Sequence, residues 1–320
     1  MKKKKGNQIV NSSEYVREPV DKEVNSILNL EINKVILTGG RGVGKTTVLC
    51  ALENRGLGSN EQTIYMCPEP AITVSKEPDK FLNENAFRYL YELRFANSIL
   101  NYIKKNYPIV YEKYFDNDRK FVHNLLDEVF AAINNMGYKE STINCKYGTN
   151  DLVVGIMSKF IRLMDVQKIN LALDRFDQVN GSSEYVQKLY ERYFDLFDKV
   201  IIATDDDTID SADLGRKGYD VRTIDYGKDE DVLCTIIKNR ESLYADNKRY
   251  IELFTSKSVL DRLSVFGSNI DNALYALYKT IDYIHVYDDD VVKALDEAIK
   301  DVIKETTDLQ EMMGKTKLYL

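Results

Sequence analysis

At 320 residues the chain can hold one large domain or two modest ones, with 44% hydrophobic residues for a core and 30% charged residues for a solvated surface. A formal charge of −7 and a pI near 5.2 exclude a coat that binds nucleic acid through overall charge, so a nucleic-acid contact needs a local patch or an assembled ring. The cysteines Cys50, Cys67, Cys145 and Cys234 lie too far apart for metal-ligand spacing, and the only histidines are His123 and His285, which argues against a zinc site and suits a reducing cytoplasm.

The chain opens on Met1-Lys2-Lys3-Lys4-Lys5 and continues through the polar stretch Gly6 to Ser13. No apolar h-region follows the lysines and no apolar run reaches membrane-spanning length, so residues 1–13 read as a flexible basic and polar tail, with no membrane partner. The lysines are either a weak electrostatic arm for DNA or an acidic partner, or a solvated tail. Val35-Ile36-Leu37 predicts a buried strand over Lys34–Thr38. Next comes Gly39-Gly40-Arg41-Gly42-Val43-Gly44-Lys45-Thr46, which fits the phosphate-binding P-loop pattern G-x-x-x-x-G-K-[ST]. Thr47-Val48-Leu49-Cys50-Ala51-Leu52 then reads as the first turns of a helix. A strand, a glycine loop and a helix N-terminus form an anion cradle of backbone N–H groups. Gly39 through Thr47 are therefore the expected ATP-binding residues. Lys45 is expected on the β- and γ-phosphates and the Thr46 hydroxyl on Mg²⁺. Cys50 and Cys67 fall in or beside apolar runs and read as small core residues.

Further strands are predicted at Thr63–Cys67, Ile169–Leu173, Val200–Thr204 and Tyr219–Ile224. The long stretch between the second and third reads as mostly helical. Its stripes are Leu93, Ala96, Leu100, Ile103 and Tyr107, then Val122, Leu126, Val129 and Ile133, then Val154, Met157, Ile161 and Met164. Ser182 or Ser183 can cap a helix with the face Val186, Leu189, Tyr193 and Leu196. After Tyr226 the strands stop. Ile270, Leu274, Leu277, Ile281 and Ile284 form one helical stripe, and Val292, Leu295, Ile299 and Val302 another. Alternating strands and helices predict an α/β fold.

A P-loop needs an acidic partner for the Mg²⁺ shell, at the C-terminal end of a neighbouring buried strand. Asp174, which ends the run Ile169-Asn170-Leu171-Ala172-Leu173, meets that requirement. Arg175 follows it, and a guanidinium is no base. Asp177 is a candidate base or a turn residue, and Glu69 is another carboxylate that can face the site. Thr204 or Asp205, at the end of the next strand, can touch the γ-phosphate or the attacking water. Asp205-Asp206-Asp207 is otherwise a solvated loop or a source of further Mg²⁺ ligands.

These pieces resemble the AAA+ ATPases, especially the origin-recognition-like and STAND-like group, over most of residues 14–285. Tyr15-Val16-Arg17-Glu18-Pro19, with Val24 and Leu28, looks like that group's lead-in helix. Asp174-Arg175-Phe176-Asp177 is similar to the Walker-B box with its glutamate replaced. Thr204-Asp205 is similar to sensor 1, residues 224–240 look like the opening of the lid, and residues 267–274 resemble the start of the sensor-2 helix. The resemblance implies a P-loop NTPase with a parallel five-stranded core, a long helical insertion before the Walker-B strand and a C-terminal all-helical lid. The implied division is a core over 14–225, a helical lid over 226–285 and a C-terminal helix and tail over 286–320. It also implies homo-oligomers formed on ATP binding, with an arginine from the neighbouring subunit completing the site. Arg216 and Arg222 are the candidates by position. Two departures stand out. Asp271 occupies the sensor-2 arginine position, where a carboxylate repels the γ-phosphate. The Walker-B glutamate is absent, which predicts slow hydrolysis. Residues 286–320 are too few for a winged-helix DNA-binding domain and read as a solvated amphipathic helix or a docking helix. The implied functions are an AAA+ ATPase acting on DNA or a DNA-processing partner in replication or transposition, or a slow STAND-type switch in signalling or anti-phage defence. The long separation of Thr46 from Asp174 and the lid-like tail argue against a third option, a small-molecule kinase.

Overall fold

The computed structural model describes residues 17–67, 84–135, 149–174, 191–204, 217–239, 249–267 and 269–319. In chain order these residues form α1 (Arg17–Leu28), β1 (Lys34–Thr38), α2 (Lys45–Gly56) and β2 (Glu61–Met66). Then come α3 (Glu84–Asn106), α4 (Pro108–Tyr114), α5 (Asp116–Asn135) and α6 (Thr149–Met164). The strands β3 (Lys168–Leu173), β4 (Lys199–Ala203) and β5 (Asp220–Thr223) follow. The last described elements are α7 (Glu230–Asn239), α8 (Arg249–Phe254), α9 (Lys257–Leu263), α10 (Ile270–Tyr283) and α11 (Val291–Tyr319).

The strands form one five-stranded sheet in the order β2-β3-β4-β1-β5, and every pairing in it is parallel. Parallel sheets need both faces covered, because each connection returns over a face. The period-two alternation of strand side chains divides the sheet's apolar residues between two layers. Ile36, Ile64, Met66, Ile169, Leu171, Leu173, Val200 and Ile202 pack on one face against α3, α5 and α6. Val35, Leu37, Ala172, Ile201 and Ala203 pack on the other against α1 and α2. The result is a three-layer α/β P-loop NTPase fold in which β4 lies between the phosphate-loop strand and β3.

The sequence-read stripe on α3 is buried at Leu93, Ala96, Leu100 and Ile103, with Tyr107 packed against the same cluster. The stripe read on α6 is out of phase. Val153, Ile156, Met157 and Phe160 are the buried residues, whereas Val154 and Ile161 are each 37% exposed. The run Leu152-Val153-Val154-Gly155-Ile156-Met157 is apolar on all sides, so its periodicity leaves the face undetermined. Phe160, the largest side chain, sets it by entering the core against Tyr102 and Tyr107. The expected helix ending at Leu196 also differs, because Phe194–Leu196 is a short 3₁₀ turn; its proposed caps Ser182 and Ser183 lie outside the described residues.

Two polar anchors fix α1 against the sheet. Lys199, buried at the start of β4, donates its ammonium to the carbonyls of Ile27 (2.8 Å), Leu28 (3.2 Å) and Leu30 (2.7 Å). It thereby satisfies carbonyls that a helix C-terminus leaves open. Arg222 on the edge strand β5 donates to Glu23 (2.9 Å) and Ser26 (2.7 Å) of α1 and to Asp220 (2.6 Å). This guanidinium is engaged within its own subunit, which weighs against its candidacy as an arginine for a neighbour.

The C-terminal helices bury a separate cluster that includes Ile237, Phe254, Leu263, Leu277 and Leu295. The α10 stripe enters it through Ile270, Leu274, Leu277 and Ile284. The α11 stripe enters it through Leu295, Ile299 and Val302, with Val291 rather than Val292 in the buried position. Tyr226 packs against both this cluster and the α1–α2 layer, and so joins the helical unit to the sheet.

Candidate active site

The phosphate loop leaves the C-terminal end of β1 and enters α2. Gly42 has φ +84°, and a Cβ there would lie 2.5 Å from the side-chain oxygen of Asn269. Gly44 is the N-cap of α2 with φ +109°, and a Cβ there would lie 3.0 Å from the ring of Tyr226. Both positions need glycine twice over, for a left-handed backbone and for the close approach of a neighbour. Those neighbours belong to the helical unit and its connection: Tyr226 follows β5, and Asn269 caps α10 by accepting from the Asn272 backbone N–H at 3.0 Å. The start of α10 therefore lies directly over the loop.

Lys45 is largely buried and donates its ammonium to the carbonyls of Gly39 and, at 2.9 Å, Gly40. The ammonium thus spans the mouth of the loop, within reach of any phosphate held by its backbone N–H groups. The Thr46 hydroxyl donates to Asp174 Oδ2 at 2.9 Å across 128 residues of sequence. Asp174 is 3% exposed, and its backbone N–H donates to the Met66 carbonyl at 2.8 Å, which extends the β2–β3 ladder by one residue. A second donor reaches the same carboxylate oxygen: the Tyr65 hydroxyl, at 2.9 Å. Burial, and then the Asp174 charge, push the Tyr65 phenol well above its ordinary value, so it remains a donor. Sequence reasoning missed Tyr65, because its contact with Asp174 depends on the β2–β3 register.

The Thr46 hydroxyl and the Asp174 carboxylate are hard oxygen donors on adjoining elements. This pair fits Mg²⁺, which binds through one or two carboxylates together with substrate phosphates and waters. Thr204 is buried at the end of β4, and its backbone N–H donates to the Leu37 carbonyl at 3.0 Å, which places it beside the root of the phosphate loop. Asp271 lies in the first turn of α10, its Cβ 3.3 Å from where a Cβ on Gly42 would stand. The structure thus brings Lys45, Thr46, Asp174 and Thr204 to one rim of the sheet. Arg175, Asp177, Asp205 and Arg216, together with Glu69, lie outside the described residues.

Cys50, on α2 behind the loop, is buried, and its thiol is pushed up to about 12 by burial first and then by the charges of Glu53 and Asp174. It fits the expected core role. Cys67 does not: it is exposed, because the chain leaves the sheet after Met66.

No protein-family model matches the chain, and no curated protein sequence matches it. Among solved structures, it is similar to AMPPCP-bound DnaA from Aquifex aeolicus, at 16% identity and a TM-score of 0.39, over 94% of this chain and 68% of that one. It is similar to a Drosophila ORC structure bound to DNA at 12% identity and a TM-score of 0.42, over 89% of this chain and 67% of that one. Thermotoga maritima RuvB gives 12% identity and a TM-score of 0.37 over the same shares. The fold assignment rests on the strand order and the phosphate loop rather than on these distant likenesses. No helix among the described residues is long and apolar enough to cross a membrane.

Proposed function

We propose that the chain is an ATP-binding ATPase of the AAA+ type, with Mg²⁺-nucleotide held between the sheet and the C-terminal helices. The observation that carries this reading is the Thr46–Asp174 hydrogen bond at 2.9 Å, which joins the end of the phosphate loop to the end of β3. In this reading the loop from Gly39 to Thr47 binds the phosphates, Lys45 neutralises the β- and γ-phosphates, and Thr46 and Asp174 hold the metal. The metal, when bound, offsets the negative charge that develops on the transferred phosphoryl group. The core runs through residue 225 and the helices from 226 onward close over the nucleotide, in a cytoplasmic protein that acts on DNA or a DNA-processing partner. Self-association on ATP binding would bring in a neighbour's arginine, with Arg216 the candidate; such arginines contribute roughly 10³–10⁵ in rate.

A second reading, the slow nucleotide switch, is favoured by Asp271. Its carboxylate belongs to the helix turn that lies over Gly42, where an arriving phosphate meets a like charge. With Arg175 in place of the usual base, turnover in either reading is slow and rests on Asp177. DNA-stimulated turnover separates the two, since the switch reading expects none.

The decisive test is Lys45→Ala. The substitution removes the one side-chain cation of the loop that reaches across its mouth. ATP binding measured by calorimetry should vanish while the circular dichroism spectrum and melting temperature stay close to the parent's. Unchanged ATP affinity in the folded variant would rule out nucleotide binding at this loop.

A further inference from the structure

We infer that Tyr65 is a positioning residue for the metal-binding carboxylate: its hydroxyl holds Asp174 in place when Thr46 turns to the metal. The inference rests on the nucleotide reading above.

The geometry follows from strand register. Tyr65 pairs with Ala172 in the parallel β2–β3 ladder, and both side chains lie in the α1–α2 layer. Asp174 lies two residues beyond Ala172 and so falls on the same face by the period of the strand. Tyrosine is long enough to span that offset, and its hydroxyl meets Asp174 Oδ2 at 2.9 Å. Thr46 donates to the same oxygen at the same distance. The two donors have different futures. The Thr46 hydroxyl has one proton and its lone pairs; as a metal ligand it must turn toward the cation and cannot keep the same hydrogen bond unchanged. Asp174 would then be nearly buried with one of its two side-chain donors withdrawn, and a buried carboxylate without donors is costly. Tyr65 does not face that conflict. It lies across the carboxylate from α2, on the sheet itself, and its raised phenol keeps the proton. It leaves Asp174 Oδ1 as the oxygen directed at the metal's shell. This is the arrangement in which outer partners orient a ligand and tune its affinity for the cation.

The prediction separates metal affinity from nucleotide affinity. ADP binding is measured by calorimetry in EDTA and across a Mg²⁺ titration, for the parent and for Tyr65→Phe. The parent should bind ADP more tightly with Mg²⁺. Tyr65→Phe should keep the EDTA affinity within about twofold, yet need roughly 10–100 times more Mg²⁺ for the same gain, the usual cost of losing such a partner. Tyr65→His, which restores a donor on a shorter side chain, should recover part of the loss. A merely structural role would instead weaken binding equally with and without Mg²⁺ and lower the melting temperature in step. An unchanged Mg²⁺ dependence in folded Tyr65→Phe overturns the inference and leaves the nucleotide reading standing. Failure of both Tyr65→Phe and Tyr65→Met to fold assigns the residue to stability and also overturns it. A parent protein that binds no ADP in either condition removes the nucleotide reading and this inference together.

Discussion

The two faces of the sheet are built from the same strands but differ in bulk. Toward α3, α5 and α6, β3 and β4 present Leu171, Leu173, Val200 and Ile202, packed against Phe95, Phe115 and Phe160. Toward α1 and α2 they present Ala172, Ile201 and Ala203. The small side chains let α2 settle low on the sheet, and the residue at its first turn, Thr46, can then touch the end of β3. The thick face carries large apolar volume that α2 does not touch. The comparison suggests that stability is concentrated on one face and chemistry on the other. Substitutions on the two faces should therefore separate unfolding free energy from nucleotide affinity.

The largest effect is expected on the thick face. Phe160 is fully buried and packs edge-on against Tyr102, with ring centroids 6.1 Å apart. Phe160→Ala removes a large side chain from a site with little freedom to collapse, at a cost of about 3–5 kcal/mol. Urea unfolding should show that loss. The ADP affinity of the remaining folded protein should stay within about twofold, because the nucleotide residues belong to the opposite layer. A large loss of affinity in folded Phe160→Ala would break the proposed division of labour.

The two faces also differ in how much of them the sequence discloses. The phosphate loop is legible because its function requires contiguous residues, and Gly39 through Thr46 carry the whole pattern in one run. Asp174 is legible because it ends an apolar strand. The β1 strand is read to the residue, whereas β2 and β4 begin one or two residues earlier than their apolar runs suggest. Glu61 and Lys199 are polar residues that the ladder and specific hydrogen bonds carry into the strands. Tyr65 is illegible, since its role depends on the register between strands separated by the whole helical insertion. The same is true of Asn269 and Asp271, which reach the loop only through the packing of the C-terminal helices. The buried face of α6 is illegible for a different reason: a segment apolar on every side has no phase until a partner such as Phe160 chooses one.

A smaller effect on stability, but a larger one on binding, is expected from the thin face. Ala172 is fully buried between Tyr65 and Ile201 in register. Ala172→Leu adds volume where the helix layer is closest, and overpacking of this kind costs about 1–3 kcal/mol. The added side chain pushes α2 outward and separates Thr46 from Asp174. Calorimetry should show ADP affinity in Mg²⁺ falling by roughly tenfold or more, since small misplacements of positioning groups have large consequences. Equal and small losses of stability and affinity would mean that α2 does not depend on the small residues beneath it.

The smallest effect concerns reactivity rather than energy, and it examines the thin face without changing it. Cys50 lies in α2 within that layer, with its thiol pushed up to about 12 chiefly by burial and then by Glu53 and Asp174. Cys67 is exposed just past the end of β2. The thiolate is the reactive form, so a raised thiol value means less nucleophile at any pH below it. With iodoacetamide at pH 8, mass spectrometry of the native protein should find Cys67 alkylated roughly ten times faster than Cys50, or more. Denaturation in urea should bring the two rates together, because both the burial and the neighbouring carboxylates are then lost. Addition of Mg²⁺ and ADP should slow Cys50 further by suppressing openings of α2, while Cys67 reacts as before. Rapid alkylation of Cys50 in the native state would show that the layer opens readily, and that close packing of α2 is not what keeps Thr46 at Asp174.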